Sequence, residues 1–174
     1  MASTKGIAIT AAIVVGVVAA SMLVWFGPQG QPSDAGREVT AANINGFRSD
    51  EAFGSIYSRH QNLDAEVQLD YDKWKSGDLD SSRMLRTIDD AKVDAAEMKA
   101  AFDAATPPEE WQASFGHYST ALASYSSYLT EMERIVNDGD RNADETSLNG
   151  YWQDSENHID LAAESIPVSP VSAN

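Results

Sequence analysis

The stretch WQASFGHYSTALASYSSYLTEMERIVNDG, residues 111–139, decides the fold. Its apolar residues Trp111, Phe115, Tyr118, Leu122, Tyr125, Leu129, Met132 and Val136 recur at alternating steps of four and three. That is the spacing of one face of a long helix, with Ser, Thr and Glu left for the opposite face. Gly139 suits the left-handed position that closes a helix near Asn137. The stretch TPPEEW just before it, residues 106–111, supplies a start. Thr106 can cap, Pro107 suits the first helical turn, and Glu109 completes a Thr-x-x-Glu capping box. One apolar stripe of this length cannot stay in water, so the helix demands partners of the same kind.

Working outward, three more segments carry the same rhythm. Ser49, followed by Asp50 and Glu51, reads as an N-cap with acids at the positive end of the helix dipole. Phe53, Ile56, His60, Leu63, Val67, Tyr71 and Trp74 then share a face, and Gly77 ends the run. A second helix is predicted from Asp80 to Ala105 through Met84, Leu85, Ile88, Ala91, Ala95, Met98 and Phe102. A fourth is predicted from Asn142, with Glu145 three residues on and Leu148, Trp152, Ser155, Ile159, Ala162 and Ile166 along one side, closed by Pro167. Strand signals are nearly absent. Four amphipathic helices joined by short connections bury their stripes by running antiparallel, so the sequence predicts an all-α, up-down-up-down four-helix bundle over residues 49–166. Residues 167–174 are expected to form a loose tail at the end where the bundle begins.

Upstream, GIAITAAIVVGVVAASMLVWFG, residues 6–27, has no charged residue and is long enough to cross a bilayer as a helix, with Trp25 and Phe26 at the far interface. Lys5 precedes it, every acid follows it, and the next cation is Arg37. The positive-inside rule therefore places residues 1–5 in the cytoplasm and everything beyond Pro28 outside. The Gly- and Pro-rich residues 28–48 read as a tether. A cleaved signal peptide, with VAA before Ser21 as the cleavage site, is the alternative, and it leaves an apolar SMLVWFG end with no role in a soluble domain. Both readings export the bundle to the extracytoplasmic side. Within the span, Ala8, Ala12, Gly16 and Ala20 form a small-residue stripe of the kind that docks on transmembrane helices of a partner protein, with the lipid bilayer around it.

The 174 residues carry 12 Lys and Arg against 27 Asp and Glu, a formal charge of −15. Such a surface repels nucleic-acid phosphates and anionic headgroups. There is no cysteine, so disulfides, thiolate metal sites and cysteine nucleophiles are excluded. No Gly-x-Ser-x-Gly, phosphate loop or dinucleotide fingerprint occurs. The residues three before His60, His117 and His158 are Tyr57, Ser114 and Ser155, none a carboxylate, which argues against a di-iron centre of the Glu-x-x-His type. His60 is expected on the inward face as a polar core residue, while His117 and His158 read as scattered. Asp138, Asp140, Asn142 and Asp144 alternate like the first half of a calcium loop, but Ala143 and Asn149 stand where that loop needs Gly and Glu. They are the chain's candidate calcium ligands. The aromatic residues at helical spacing read as core. No catalytic residue and no cofactor is expected.

Lys5 alone ahead of the Ala- and Val-rich span, the MLVWFGPQ exit and the acidic, cysteine-free helical domain together resemble the small anchored extracytoplasmic proteins of ammonia-oxidising archaea. The resemblance covers the N-terminal segment and the layout, and it carries no functional residue across. It implies an auxiliary subunit of a membrane complex such as archaeal ammonia monooxygenase. The resulting expectation is a non-catalytic, membrane-anchored accessory subunit or scaffold. The alternative is an extracytoplasmic ligand- or metal-binding bundle.

Overall fold

The computed structural model describes residues 49–167, and every regular element among them is helical. Helix α1 spans Ser49–Ser76, α2 Ser81–Asp103, α3 Gln112–Asp138 and α4 Thr146–Glu164, with a 3-10 turn at Glu109–Trp111 ahead of α3. The anchor expected at 6–27, the tether at 28–48 and residues 168–174 of the tail lie outside the described residues. So do the stripe residues Ala8, Ala12, Gly16 and Ala20. Among the described residues no helix is long and apolar enough to cross a membrane.

Cross-helix pairs fix the direction of each helix. Between α1 and α2, Trp74 donates to Ser81, Thr87 to Asp70 and Arg59 to Asp94, so numbers fall on one helix as they rise on the other. Between α2 and α3, Lys92 pairs with Glu133 and Ser119 donates to Asp103. Between α3 and α4, Ser124 donates to Asp154, the Ser155 hydroxyl to the Ala121 carbonyl at 2.9 Å, and the Ser114 hydroxyl to the Ala162 carbonyl at 2.7 Å. Sequential helices are therefore antiparallel, and α1 returns beside α4, where the Tyr71 hydroxyl donates to Glu145 at 3.0 Å.

The interior fills with the residues of the periodic rows. Toward the start of α1 it is aromatic, with the Phe53 ring 5.1 Å from Tyr118, 6.3 Å from Phe102 and 6.2 Å from Phe115, centroid to centroid. Toward the other end Val67, Met84, Ile88, Leu129, Met132, Val136 and Leu148 close around Trp74. Small buried residues on α3 and α4, Ser114 and Ala121 against Ser155 and Ala162, let those two backbones approach most intimately. Each buried serine returns its hydroxyl proton to a carbonyl of the opposite helix, which satisfies a donor that would otherwise be costly in a dry interface.

Helix ends depart from the sequence expectation in two places. After Pro107 and Pro108 the chain makes one 3-10 turn before regular α3 begins at Gln112, later than the capping-box pattern implies. Helix α4 begins at Thr146 rather than at Asn142. Asp140 Oδ1 accepts the Asn142 N–H and Asp144 Oδ1 accepts the Thr146 N–H, both at 3.0 Å, so two consecutive side-chain turns hold the chain out of helix.

Gly77 and Gly139 close α1 and α3 at φ 91° and 69°. A Cβ added at Gly139 would meet nothing within 4 Å, so Gly139→Ala tests the backbone alone. Thermal unfolding should register a loss of about 1 kcal/mol, the cost of holding a side-chain-bearing residue in the left-handed region.

Candidate functional site

His60, the inward polar residue expected from its row, is 3% exposed. Its Nδ1 shares a 3.1 Å hydrogen bond with the Tyr118 hydroxyl, and its ring stands edge-on to Tyr118 and Tyr125 at 5.9 and 4.5 Å. Burial pushes its pKa down to about 4, so the imidazole stays neutral. The Tyr118 hydroxyl, buried as well, is pushed far up and keeps its proton. Stability that depends on a neutral histidine is complete above the unfolded value of about 6.5 and is lost as pH falls toward 4. His60→Leu should therefore cost about 1–3 kcal/mol at pH 7.5, by orphaning the Tyr118 hydroxyl. Urea unfolding at pH 4.5 should find that cost shrunken or reversed, because the wild type has by then lost His60's contribution.

The acidic turn between α3 and α4 serves its own geometry. Asp138 pairs with Arg134, Asp140 accepts the Asn142 amide, and Asp144 accepts both the backbone and the hydroxyl of Thr146. Among the described residues no group of three or more histidine or acidic side chains gathers at metal-holding distance. The fold does bring His117 and His158 together across α3 and α4, with ring centroids 5.9 Å apart and planes 28° apart. In sequence the two read as unrelated.

A third feature, missed by the apolar rows, lies midway along the seam between α1 and α4. The backbones of these two helices approach less closely than those of the sequential pairs, so side chains fill the gap. The Tyr71–Glu145 bond sets the register, which places Asp64 opposite Trp152 and puts Glu156 about one turn further along α4. Asp64 Oδ2 accepts a 2.7 Å hydrogen bond from Gln68. The Trp152 indole N–H and the Tyr125 hydroxyl are directed at the same carboxylate. Yet Asp64 Oδ1, Tyr125 OH and Trp152 Nε1 are all buried and none closes a hydrogen bond. Tyr125 is only 1% exposed, so no bulk water relieves it.

Electrostatics mark the same place. Burial raises Asp64 to about 6, against the lowering influence of Gln68, Trp152 and Tyr125. Burial, then the charges of Asp64 and Asp160, raise Glu156 to about 7. Asp160 is raised by burial and by Glu164. Tyr57 is driven up to about 12, by burial and by the charges of Glu156 and Asp160, and Gln61 donates to its hydroxyl at 2.6 Å. Carboxylates are thus crowded where each resists ionisation, without a cation among the groups acting on Asp64 or Glu156. The sequence held one signal for this seam. Tyr57, Asp64 and Tyr71 are seven residues apart on α1, an acid inserted in an aromatic row, and residues 146–164 contain no Lys or Arg at all.

Comparison with known proteins finds no matching family model, no matching curated protein and no matching solved structure.

Proposed function

We propose that the protein is a non-catalytic helical module held at a membrane by residues 6–27, with its bundle on the extracytoplasmic side, and that it serves a membrane complex as an accessory subunit. The observation that carries this reading is the uncharged span Gly6–Gly27, with Lys5 before it and the chain's acids after it. An interior closed by large, fully buried side chains such as Trp74, Tyr118, Leu122 and Met132 supports it, because such a bundle keeps its shape as a spacer or docking body. The resemblance of the N-terminal segment supports the accessory role, and the stripe Ala8, Ala12, Gly16 and Ala20 is the proposed docking face within the bilayer.

The full-length protein, extracted in mild detergent and weighed by native mass spectrometry, tests this. Retention of residues 1–27 and a mass above that of the lone chain are expected. A product starting at Ser21, or a monomer in every mild detergent, overturns it.

One observation favours a second reading, that of a ligand-binding bundle. Three buried polar atoms converge without partners at Asp64, and a packed interior retains such groups where something completes them. A thermal-shift survey of the full chain with Ca²⁺, Cu²⁺ and small organic ions addresses it. If no ligand produces a shift that depends on Asp64, this reading fails.

A further inference from the structure

We propose that the α1–α4 seam at Asp64 and Glu156 is a binding site for an organic cation, a guanidinium or primary ammonium head group; this rests on the ligand-binding reading.

The charge count of the two helices comes first. Helix α4 has no Lys or Arg. On α1 the cations are Arg59, Lys73 and Lys75, and each is committed elsewhere: Arg59 to Asp94 and Glu97 of α2, Lys73 to Asp70, and Lys75 to Glu145. Glu156 therefore lies near both Asp64 and Asp160 with no internal counter-ion. A carboxylate withdrawn from water without a cation is costly, and a cation entering the seam relieves that cost.

The second observation is independent of charge. Tyr125 is 1% exposed, and its hydroxyl is aimed at Asp64 without closing a hydrogen bond of normal geometry. Asp64 Oδ1 and Trp152 Nε1 are in the same condition. The phenol oxygen and Asp64 Oδ1 offer two acceptors to a head group with several N–H donors, and Glu156 offers a third from the more open side. The indole N–H can then complete the Asp64 carboxylate.

The lining selects the class of cation. A metal ion needs several ligands at fixed short distances, and no group of three gathers in that way among the described residues. Trp152 and Tyr125 beside Asp64, and Tyr57 near Glu156, make the surroundings aromatic, which suits a large, weakly hydrated cation and a planar guanidinium better than a compact ion. Access is from the side where Glu156 is half-buried and Asp160 exposed.

The titratable groups facing the seam are Tyr57, His60 and Asp64 from α1, Tyr118, Tyr125 and Tyr128 from α3, and Glu156, Asp160 and Glu164 from α4. Of these, Asp64 and Glu156 are raised to about 6 and about 7, while burial keeps the buried tyrosines protonated and His60 neutral between pH 5 and 8. Binding must therefore strengthen as pH rises through that range.

The test uses the full-length protein in nanodiscs with three probes: agmatine, a capped pentapeptide with one central arginine among serines, and N-butylurea as a neutral isostere. Calorimetry and the Trp152 indole resonance, assigned with Trp152→Phe, read binding. Agmatine or the peptide should bind, the tighter of the two identifying a free amine or a protein side chain as the source. Affinity should fall at least about tenfold from pH 8 to pH 5 and in Asp64→Asn/Glu156→Gln, whose folding is checked by circular dichroism, with Asp89→Asn on α2 as control. Glu156→Gln alone supplies a milder variant if the double one fails to fold. Equal binding of N-butylurea removes the cation and leaves a ligand site standing. Unchanged affinity in the variants removes the location, and no binding by any probe removes both.

Discussion

Trp74→Ala should be the most damaging single substitution in the bundle, with a loss of about 3–5 kcal/mol, the range for deleting a buried large aromatic. A domain of this size has about 5–15 kcal/mol in total, so the variant is expected near or beyond its unfolding threshold at physiological temperature. The reason is the number of separate elements that meet on one ring. Trp74 is fully buried and stacks on Tyr71 at 5.5 Å. Its indole N–H donates to Ser81 at 3.0 Å, joining the last turn of α1 to the first of α2. The Arg141 guanidinium lies 5.8 Å from the ring centroid, bringing in the loop between α3 and α4. Truncation opens a cavity, orphans the Ser81 contact and frees Arg141 together. Leu69→Ala, at a position 57% exposed on the same helix, should change the melting temperature by little, and the pair of melts separates a packing effect from a general one.

That Trp74 belongs to the core was legible in the sequence, because it continues the row that starts at Phe53. The four helices and their inward faces follow from the same periodicity. What the period does not encode are the points where short polar side chains compete with the helix. Asp140 and Asp144 each capture a backbone amide two residues on, which delays α4 to Thr146. The seam was harder to see for a different reason. Asp64 is adjacent to the apolar row rather than in it, and only the meeting of α1 with α4 sets it against Trp152 and near Glu156. Proximity of residues this far apart in sequence is a property of topology, and so is the pairing of His117 with His158.

Asp64→Asn should become progressively favourable as pH rises. Asp64 titrates near 6 in the fold and near 3.8 when unfolded. A raised carboxyl contributes stability that is full below the unfolded value and lost as pH climbs through the folded one. Two units correspond to about 2–3 kcal/mol, so the stability difference between variant and wild type should move by about that amount in favour of asparagine from pH 4 to pH 8. Glu156 acts in the same direction between its unfolded value of 4.5 and about 7. His60 acts in the opposite direction between 6.5 and about 4. In the wild type the two carboxyls together outweigh the histidine, and its stability should fall by about 2 kcal/mol between pH 5 and 7. Removing Asp64 exposes the His60 contribution and shifts the optimum to higher pH. Urea titrations of both proteins across pH 4–8 check this, and parallel curves would sink the assignment of a buried, uncompensated charge at Asp64.

The wide seam between α1 and α4 also has a kinetic meaning. Neighbouring helices in this chain zip along short connections, whereas the bond between Tyr71 and Glu145 spans 74 residues. Contacts of long sequence separation form late, because the chain entropy of closing the loop must be overcome first. The same contacts, backed by little backbone apposition, are the first to reopen. Amide hydrogens of α4 around Trp152 and Glu156 should therefore exchange with solvent through smaller openings than those of α3 around Leu122 and Met132. The bundle should then breathe along one edge, the edge that carries the carboxylates without a counter-ion.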